Sequence, residues 1–209
     1  TRPHPESGRT KYDRANILAA IDGTLARLQT DYVDIYQIHW PERETNFFGK
    51  RGFENLGEAG TPIEETLDAL AEIVKAGKVR YIGVSNETPW GLNEYLRLAR
   101  EKGLPRVATI QNQYSLINRT FEIGLSEICM REGVGVLVYS PLSKGSLTGK
   151  YLGGVIPRGS RFVFSLRDID RYNPAHAQPA IQKYADLARA NGLEPAELAL
   201  AWVNSRAFV

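Results

Sequence analysis

Four short apolar runs, DYVDIYQIHW at 31–40, KVRYIGVSN at 78–86, RVATIQNQ at 106–113 and VGVLVYSPL at 134–142, alternate with segments of helical period. Several runs are apolar at both alternating positions, as in strands covered on both faces of a parallel sheet. Ile17, Leu18, Ile21, Leu25 and Leu28 recur at helical steps before the first run. Ile63, Leu67, Leu70, Ile73 and Val74 do so after it, behind a Thr61-Pro62 start with Glu64 and Glu65 in the first turn. Further helices are expected over 89–102, 119–131, 175–191 and 195–205, three of them closing near Gly103, Gly133 and Gly192. Strands that alternate with helices are joined by right-handed crossovers into a parallel α/β sheet. The last three strands begin near 79, 107 and 134, steps of 28 and then 27 residues. So short and regular a unit favours a (β/α)8 TIM barrel over a doubly wound sheet, and the G-x-G-x-x-G turn of a Rossmann-type domain is not in the sequence.

A full barrel takes eight such units and about 250 residues. The chain has 209 residues and four candidate strands. It is therefore expected to be a single-domain part of a barrel, 1–209, holding about strands four to seven with their helices. On this reading it lacks roughly three βα units in front and the eighth strand behind. A start at Thr1 rather than Met, and an apolar end at Ala207, Phe208 and Val209, agree with cuts at both termini.

Charge narrows the partners. The 26 Lys and Arg against 24 Asp and Glu, mixed along the chain, give a net charge of +2 and no basic stripe. Neither a nucleic-acid nor a membrane-surface partner is expected. Cys129 stands alone, so no internal disulfide or cysteine-built zinc site can form, and His4, His39 and His176 have no ligand-like spacing. No metal is expected, and a reducing cytoplasm fits best. No apolar run approaches the roughly 18 residues that span a bilayer.

In a parallel barrel the chemistry sits at the C-terminal ends of the strands. Those ends are His39-Trp40, Ser85-Asn86, Gln111-Asn112 and Tyr139-Ser140, all polar or aromatic with a hydrogen-bonding tip. His39 can hold a carbonyl oxygen or share a proton near neutrality, or it can be a core histidine tied to a backbone carbonyl. Ser85 and Asn86 can bind a ligand or cap the following helix. The amides of Gln111 and Asn112 can pair a ligand amide or satisfy neighbouring loops. Tyr139 can stack on a planar ring or fill the core. Ser140-Pro141-Leu142, Gly145 and Lys150 form a small-residue loop ending in a cation, suited to a pyrophosphate. Two Gly-rich, aromatic and basic stretches, 44–60 and 148–173, follow strand ends and are expected to be substrate or cofactor loops. Trp40, Phe47, Phe48 and Phe53 hint at an aryl pocket, though such rings also pin loops down.

The strings DYVDIYQIHWP, GKVRYIGVSNE, IQNQYSLINR and VYSPLSKGSLTGKY, in this order and spacing, resemble the aldo-keto reductase superfamily and, within it, the branch that holds the bacterial Tas-type reductases and the potassium-channel β-subunits. The likeness runs through nearly the whole chain. It implies a (β/α)8 barrel that binds NADP(H) extended across the barrel mouth and reduces aldehydes or ketones by hydride transfer. His39 matches the residue that directs the substrate carbonyl. Ser85, Asn86 and Gln111 match those that hydrogen-bond the nicotinamide carboxamide, and Tyr139 matches the aromatic stacked on its ring. Ser140, Pro141, Leu142, Gly145, Lys150 and Arg161 fall on the loop that closes over the pyrophosphate.

The family's catalytic Asp, general-acid Tyr and Lys come from the first three strands, upstream of Thr1. Asp34, Tyr36 and Lys78 are not their equivalents, because they lie inside or before strands. The residues that grip the adenosine 2′-phosphate fall past Val209, so preference for NADP(H) over NAD(H) rests on relatives alone. The chain by itself is expected to be inactive, and its parent to be an NADPH-dependent reductase of small carbonyl substrates. An alternative is a nicotinamide-sensing regulatory subunit with little turnover, and a third is a barrel that binds a phosphorylated metabolite without nicotinamide. Oligomeric state and physiological substrate have no signature.

Overall fold

The computed structural model describes residues 11–46, 48, 52, 60–165 and 169–209. They divide into two compact units, one running to Gln111 and adding Glu127–Val136, the other made of Asn112–Ser126 and Leu137–Val209. Each is described by itself.

In the first unit α1 (Arg14–Leu28) starts at Asp13, whose carboxylate accepts the Asn16 backbone N–H at 2.9 Å, and buries Ile17, Ile21 and Leu25. Leu28, expected on the same stripe, is 59% exposed, because the helix turns off at Gln29 (φ 55°) before its last turn is covered. β1 (Val33–Ile38) is followed by α2 (Ile63–Lys75), which enters through Pro62 and buries Leu67, Leu70 and Ile73. β2 (Val79–Ser85) and α3 (Pro89–Lys102) come next, the helix closing at Gly103 with φ 67°, a conformation glycine adopts without strain. Then come β3 (Val107–Gln113), α4 (Leu125–Glu132) and β4 (Gly135–Tyr139), each with residues in both units. The single helix expected over 119–131 is a 3₁₀ turn at Thr120–Glu122 and then α4, parted at Gly124 where φ is 90°.

The strands form one sheet in the order β1-β2-β3-β4. β1 and β2 are parallel with Tyr36 opposite Ile82 and Ile38 opposite Val84; β2 and β3 are parallel with Ser85 opposite Gln111. A consecutive order is that of neighbouring barrel strands, whereas a doubly wound sheet reverses its order at a switch point. The α/β architecture expected from the sequence is present, as a four-stranded parallel sheet with helices, consistent with part of a (β/α)8 barrel.

Burial on both strand faces does not hold. Tyr36, Ile38, Ile82 and Val84 are buried, and α2 packs against β2. Ile35 and its register partner Tyr81 are 43% and 59% exposed. The period of two sends these residues to the opposite face. That face also carries a polar bridge, Gln37 Nε2 donating to Thr109 Oγ1 at 3.2 Å across Gly83, where a Cβ would lie 2.5 Å from that oxygen.

In the second unit β4 leads into a 3₁₀ stretch, Ser143–Thr148, and then α5 (Arg161–Phe164), α6 (Ile169–Tyr172), α7 (Gln178–Ala190) and α8 (Pro195–Asn204). Leu116, Leu147, Ala177, Ile181 and Ala199 form its main core, and Tyr151, Phe162 and Tyr172 a smaller one. Leu187, expected on the apolar stripe of α7, is 53% exposed. Among the described residues no helix is long and apolar enough to cross a membrane.

Candidate functional site

The sequence-predicted residues of the first unit stand at the ends of three neighbouring strands and are tied to one another. The Gln111 carbonyl accepts the Asn86 backbone N–H at 3.0 Å and the Ser85 hydroxyl at 2.7 Å. Asn86 Nδ2 donates to the His39 carbonyl at 2.8 Å and to Ser85 Oγ at 3.1 Å. This requires Asn86 to sit at φ 53°, a left-handed conformation that Asn tolerates better than most residues. Ser85 and Asn86 are buried, whereas the Gln111 side chain is half-buried and its amide makes no hydrogen bond to a described residue. The helix-cap alternative for Ser85-Asn86 fails, because the cap of α3 is Thr88, whose Oγ1 accepts the Gly91 N–H at 3.2 Å.

His39 is exposed, with its ring 4.4 Å from that of Trp40 and 6.4 Å, edge to face, from that of Phe48. Trp40 and Phe48 meet at 5.8 Å. The core-histidine alternative therefore does not hold, and three rings gather at the end of β1. Phe47 and Phe53 lie outside the described residues.

A buried ion pair that sequence reasoning missed fastens this end of the strand. Arg43 pairs with Glu87 through both guanidinium nitrogens, donates to Thr88 Oγ1 at 3.0 Å and lies 5.0 Å over the Trp90 ring. The Glu87 side chain is 3% exposed and that of Arg43 20%. The signal available was position alone, Glu87 following Asn86 and Arg43 lying four residues past His39.

Asp34, Tyr36 and Lys78 are structural. Asp34 pairs with Arg80 at 2.6 Å and Lys78 with Asp22 at 2.5 Å. Burial, with Tyr12 beside it, pushes the Tyr36 phenol up to about 12, so it holds its proton at neutral pH.

In the second unit Tyr139 is half-buried, and its hydroxyl accepts Arg171 Nη2 at 3.1 Å while the same nitrogen donates to Gln113 Oε1 at 2.9 Å. Burial raises the Tyr139 phenol, and the Arg171 charge opposes it. Arg171 also lies 4.9 Å over Tyr172, and Lys144 lies 4.6 Å over the same ring. Gln113 is two residues beyond Gln111, but nothing in the sequence ties Arg171 to Tyr139, 32 residues away.

The loop after β4 is shaped by its backbone. Ser140, Ser143 and Lys144 have φ of 55°, 46° and 53°, and Gly145 has 100°. A Cβ on Gly145 would lie 2.7 Å from Lys150 Cε and 2.9 Å from its Nζ, so glycine lets that ammonium lie against the backbone. Lys150 is exposed, with Nζ 5.2 Å from the Tyr151 ring centre. Leu142 packs against the main core and Pro141 is half-buried. Arg161 opens α5, exposed and without a hydrogen bond or ion pair to a described residue.

A family model described as the aldo/keto reductase family matches residues 3–209. The protein Tas of Escherichia coli (strain K12) is 52% identical over 198 residues, covering 94% of this chain and 57% of Tas. An aldo-keto reductase of Babesia bovis is 38% identical over 216 residues, covering 97% of this chain and 76% of that protein. An L-glyceraldehyde 3-phosphate reductase of Escherichia coli (strain K12) is 33% identical over 206 residues, covering 96% of this chain and 53% of that one. The chain thus spans little more than half the length of two of these three relatives.

Proposed function

The chain belongs to the aldo/keto reductase family, and we propose that its protein is an NADPH-dependent oxidoreductase that reduces aldehydes or ketones to alcohols. The strand-end cluster of the first unit carries this reading. Gln111 keeps a donor and an acceptor on one side-chain amide, the complement of a carboxamide, beside the Ser85 and Asn86 side chains. In the second unit, Tyr139 offers a flat ring whose tip Arg171 holds. Lys144 and Lys150 flank a glycine whose missing Cβ leaves room at Lys150, a donor set suited to phosphate oxygens, with Ser140, Pro141 and Leu142 leading into it and Arg161 a further cation.

Bound NADPH would supply a hydride to the carbonyl carbon. His39 would orient the carbonyl through a ring N–H donated to its oxygen, and so favour the charge that develops there. Trp40 and Phe48 stand against the His39 ring and would offer an apolar wall to the rest of the substrate. Asn86, holding the His39 carbonyl, fixes the imidazole's base relative to the amide of Gln111. The preference for the 2′-phosphorylated cofactor, the small-carbonyl substrate class, a cytoplasmic setting and the lack of a nucleic-acid or membrane partner belong to this proposal.

The test mixes the whole protein with NADPH and an aromatic aldehyde and follows loss of reduced-nicotinamide absorbance. Saturable turnover is expected. Tight NADPH binding without turnover would replace this reading by the sensing subunit, and failure to bind NADPH would end both.

A further inference from the structure

The string QYSLINR at 113–119 helps carry the family resemblance, yet it plays no part in the function proposed above. In the second unit it builds a stiff corner. Tyr114 is fully buried, stacked on Trp202 at 5.1 Å and edge-on to Phe208 at 5.3 Å. Its hydroxyl donates to Glu122, and Arg119 grips the same carboxylate with two bonds of 2.9 and 2.6 Å. Ser115 and Asn118 exchange two backbone hydrogen bonds of 3.0 and 3.1 Å, which fixes the residue after Tyr114 as firmly.

From that corner one hydroxyl reaches out. Ser115 is fully buried, and its Oγ lies 3.0 Å from Oγ of Ser143, which is 1% exposed. Ser143 begins three successive residues of positive φ, 46° at Ser143, 53° at Lys144 and 100° at Gly145. Non-glycine residues hold such a conformation only where their surroundings impose it, and these segments concentrate at ligand-clamping sites. The turns that close this loop on itself, Ser143 N–H to the Ser140 carbonyl and Gly145 N–H to the Leu142 carbonyl, both 2.9 Å, begin and end inside it. The Ser115–Ser143 bond ties it to something rigid.

We infer that Ser115 is a positioning residue: through Ser143 it holds the left-handed stretch in the shape that lets Lys144, Gly145 and Lys150 receive the phosphates of a dinucleotide. This rests on the dinucleotide reading above.

The experiment compares wild type, Ser115→Ala, Ser143→Ala and the double variant by NADPH titration and by the rate of tryptic cleavage after Lys144 and Lys150 without ligand. Ser115→Ala is expected to raise the NADPH Kd about fivefold to tenfold, the worth of one buried hydrogen bond, and to speed cleavage at both lysines. Ser143→Ala should do the same and the double variant no more, since both remove one bond. Binding stoichiometry is read beside Kd, because a variant that only unfolds more easily loses binding sites and leaves the Kd of the remainder unchanged. A wild-type Kd and wild-type cleavage rate in Ser115→Ala would overturn the inference. If wild type itself fails to bind NADPH, the functional reading falls and with it the loop's ligand, while the cleavage rates alone decide whether Ser115 holds the loop.

Discussion

The two units fix their polar residues by different physics. In the first, His39, Ser85, Asn86 and Gln111 are placed by ladder register and by side-chain bonds to backbone carbonyls, with one left-handed residue, an Asn. In the second, Ser140, Ser143 and Lys144 all take positive φ within one loop, and their support comes from the Ser115 hydroxyl and the Tyr172 ring. A strand end suits a planar amide that must be aligned, because the ladder cannot deform cheaply. A strained loop suits phosphates, where close approach of backbone and cations matters more than angle.

The largest expected loss of stability is at Glu87. Glu87→Ala would leave the Arg43 charge largely buried without its carboxylate, a loss of about 3–5 kcal/mol by analogy with other broken buried pairs. Urea unfolding measures it. Gly91→Ala tests the same pair from the other side, since its Cβ would run into the Arg43 guanidinium and the Glu87 carboxylate. Both variants should lower stability far more than any change in the loop after β4.

Gly145→Ala should show the opposite balance. It forces a Cβ against Lys150 at φ 100°, with an expected loss of roughly tenfold or more in NADPH affinity and a stability change of about 1–2 kcal/mol. Equal effects on stability from Gly145→Ala and Gly91→Ala would remove the contrast.

Alkaline pH probes both units. Burial, with Tyr12 beside it, lifts Tyr36 from 10.0 to about 12, and burial followed by the Glu87 charge lifts Tyr95 further. Tyr114 in the second unit is raised by burial and by its bond to Glu122. A raised phenol means that the folded state holds its proton more tightly than the unfolded chain does. The contribution of these phenols to stability is therefore fully present below pH about 10 and is lost as pH rises towards 12, with proton uptake on folding in that window. Circular dichroism against pH measures it, and unchanged stability up to pH 12 would contradict the burial of these phenols.

The smallest effect concerns Cys129. Burial pushes its thiol up to about 11, so native protein should react with a thiol reagent at pH 8 far more slowly than denatured protein.

How much of this was legible in the sequence divides along the same line. The strand bodies, the helices around them and the polar strand ends show in the spacing, because periods of 2 and 3.6 are local properties of the chain. Gln111 and Ser85 were identifiable as ends of runs, and the structure pairs them in register. Arg43–Glu87 and Arg171–Tyr139 were not, since a contact 44 or 32 residues apart leaves no local mark. The open faces of Ile35 and Tyr81 have no signal for a related reason, because an apolar residue reads alike on a covered face and an uncovered one. The left-handed Ser143 and Lys144 have no signal either, as neither residue type announces positive φ.

On the function proposed above, the strand-end amide of Gln111 takes the carboxamide of a nicotinamide cofactor. Titration of NADPH into wild type and Gln111→Ala, followed by quenching of tryptophan fluorescence, tests it most directly. Saturable binding to wild type is expected, with a Kd at least about tenfold higher in the variant for a lost donor–acceptor pair. Equal affinity in both, or no binding by wild type, would contradict it.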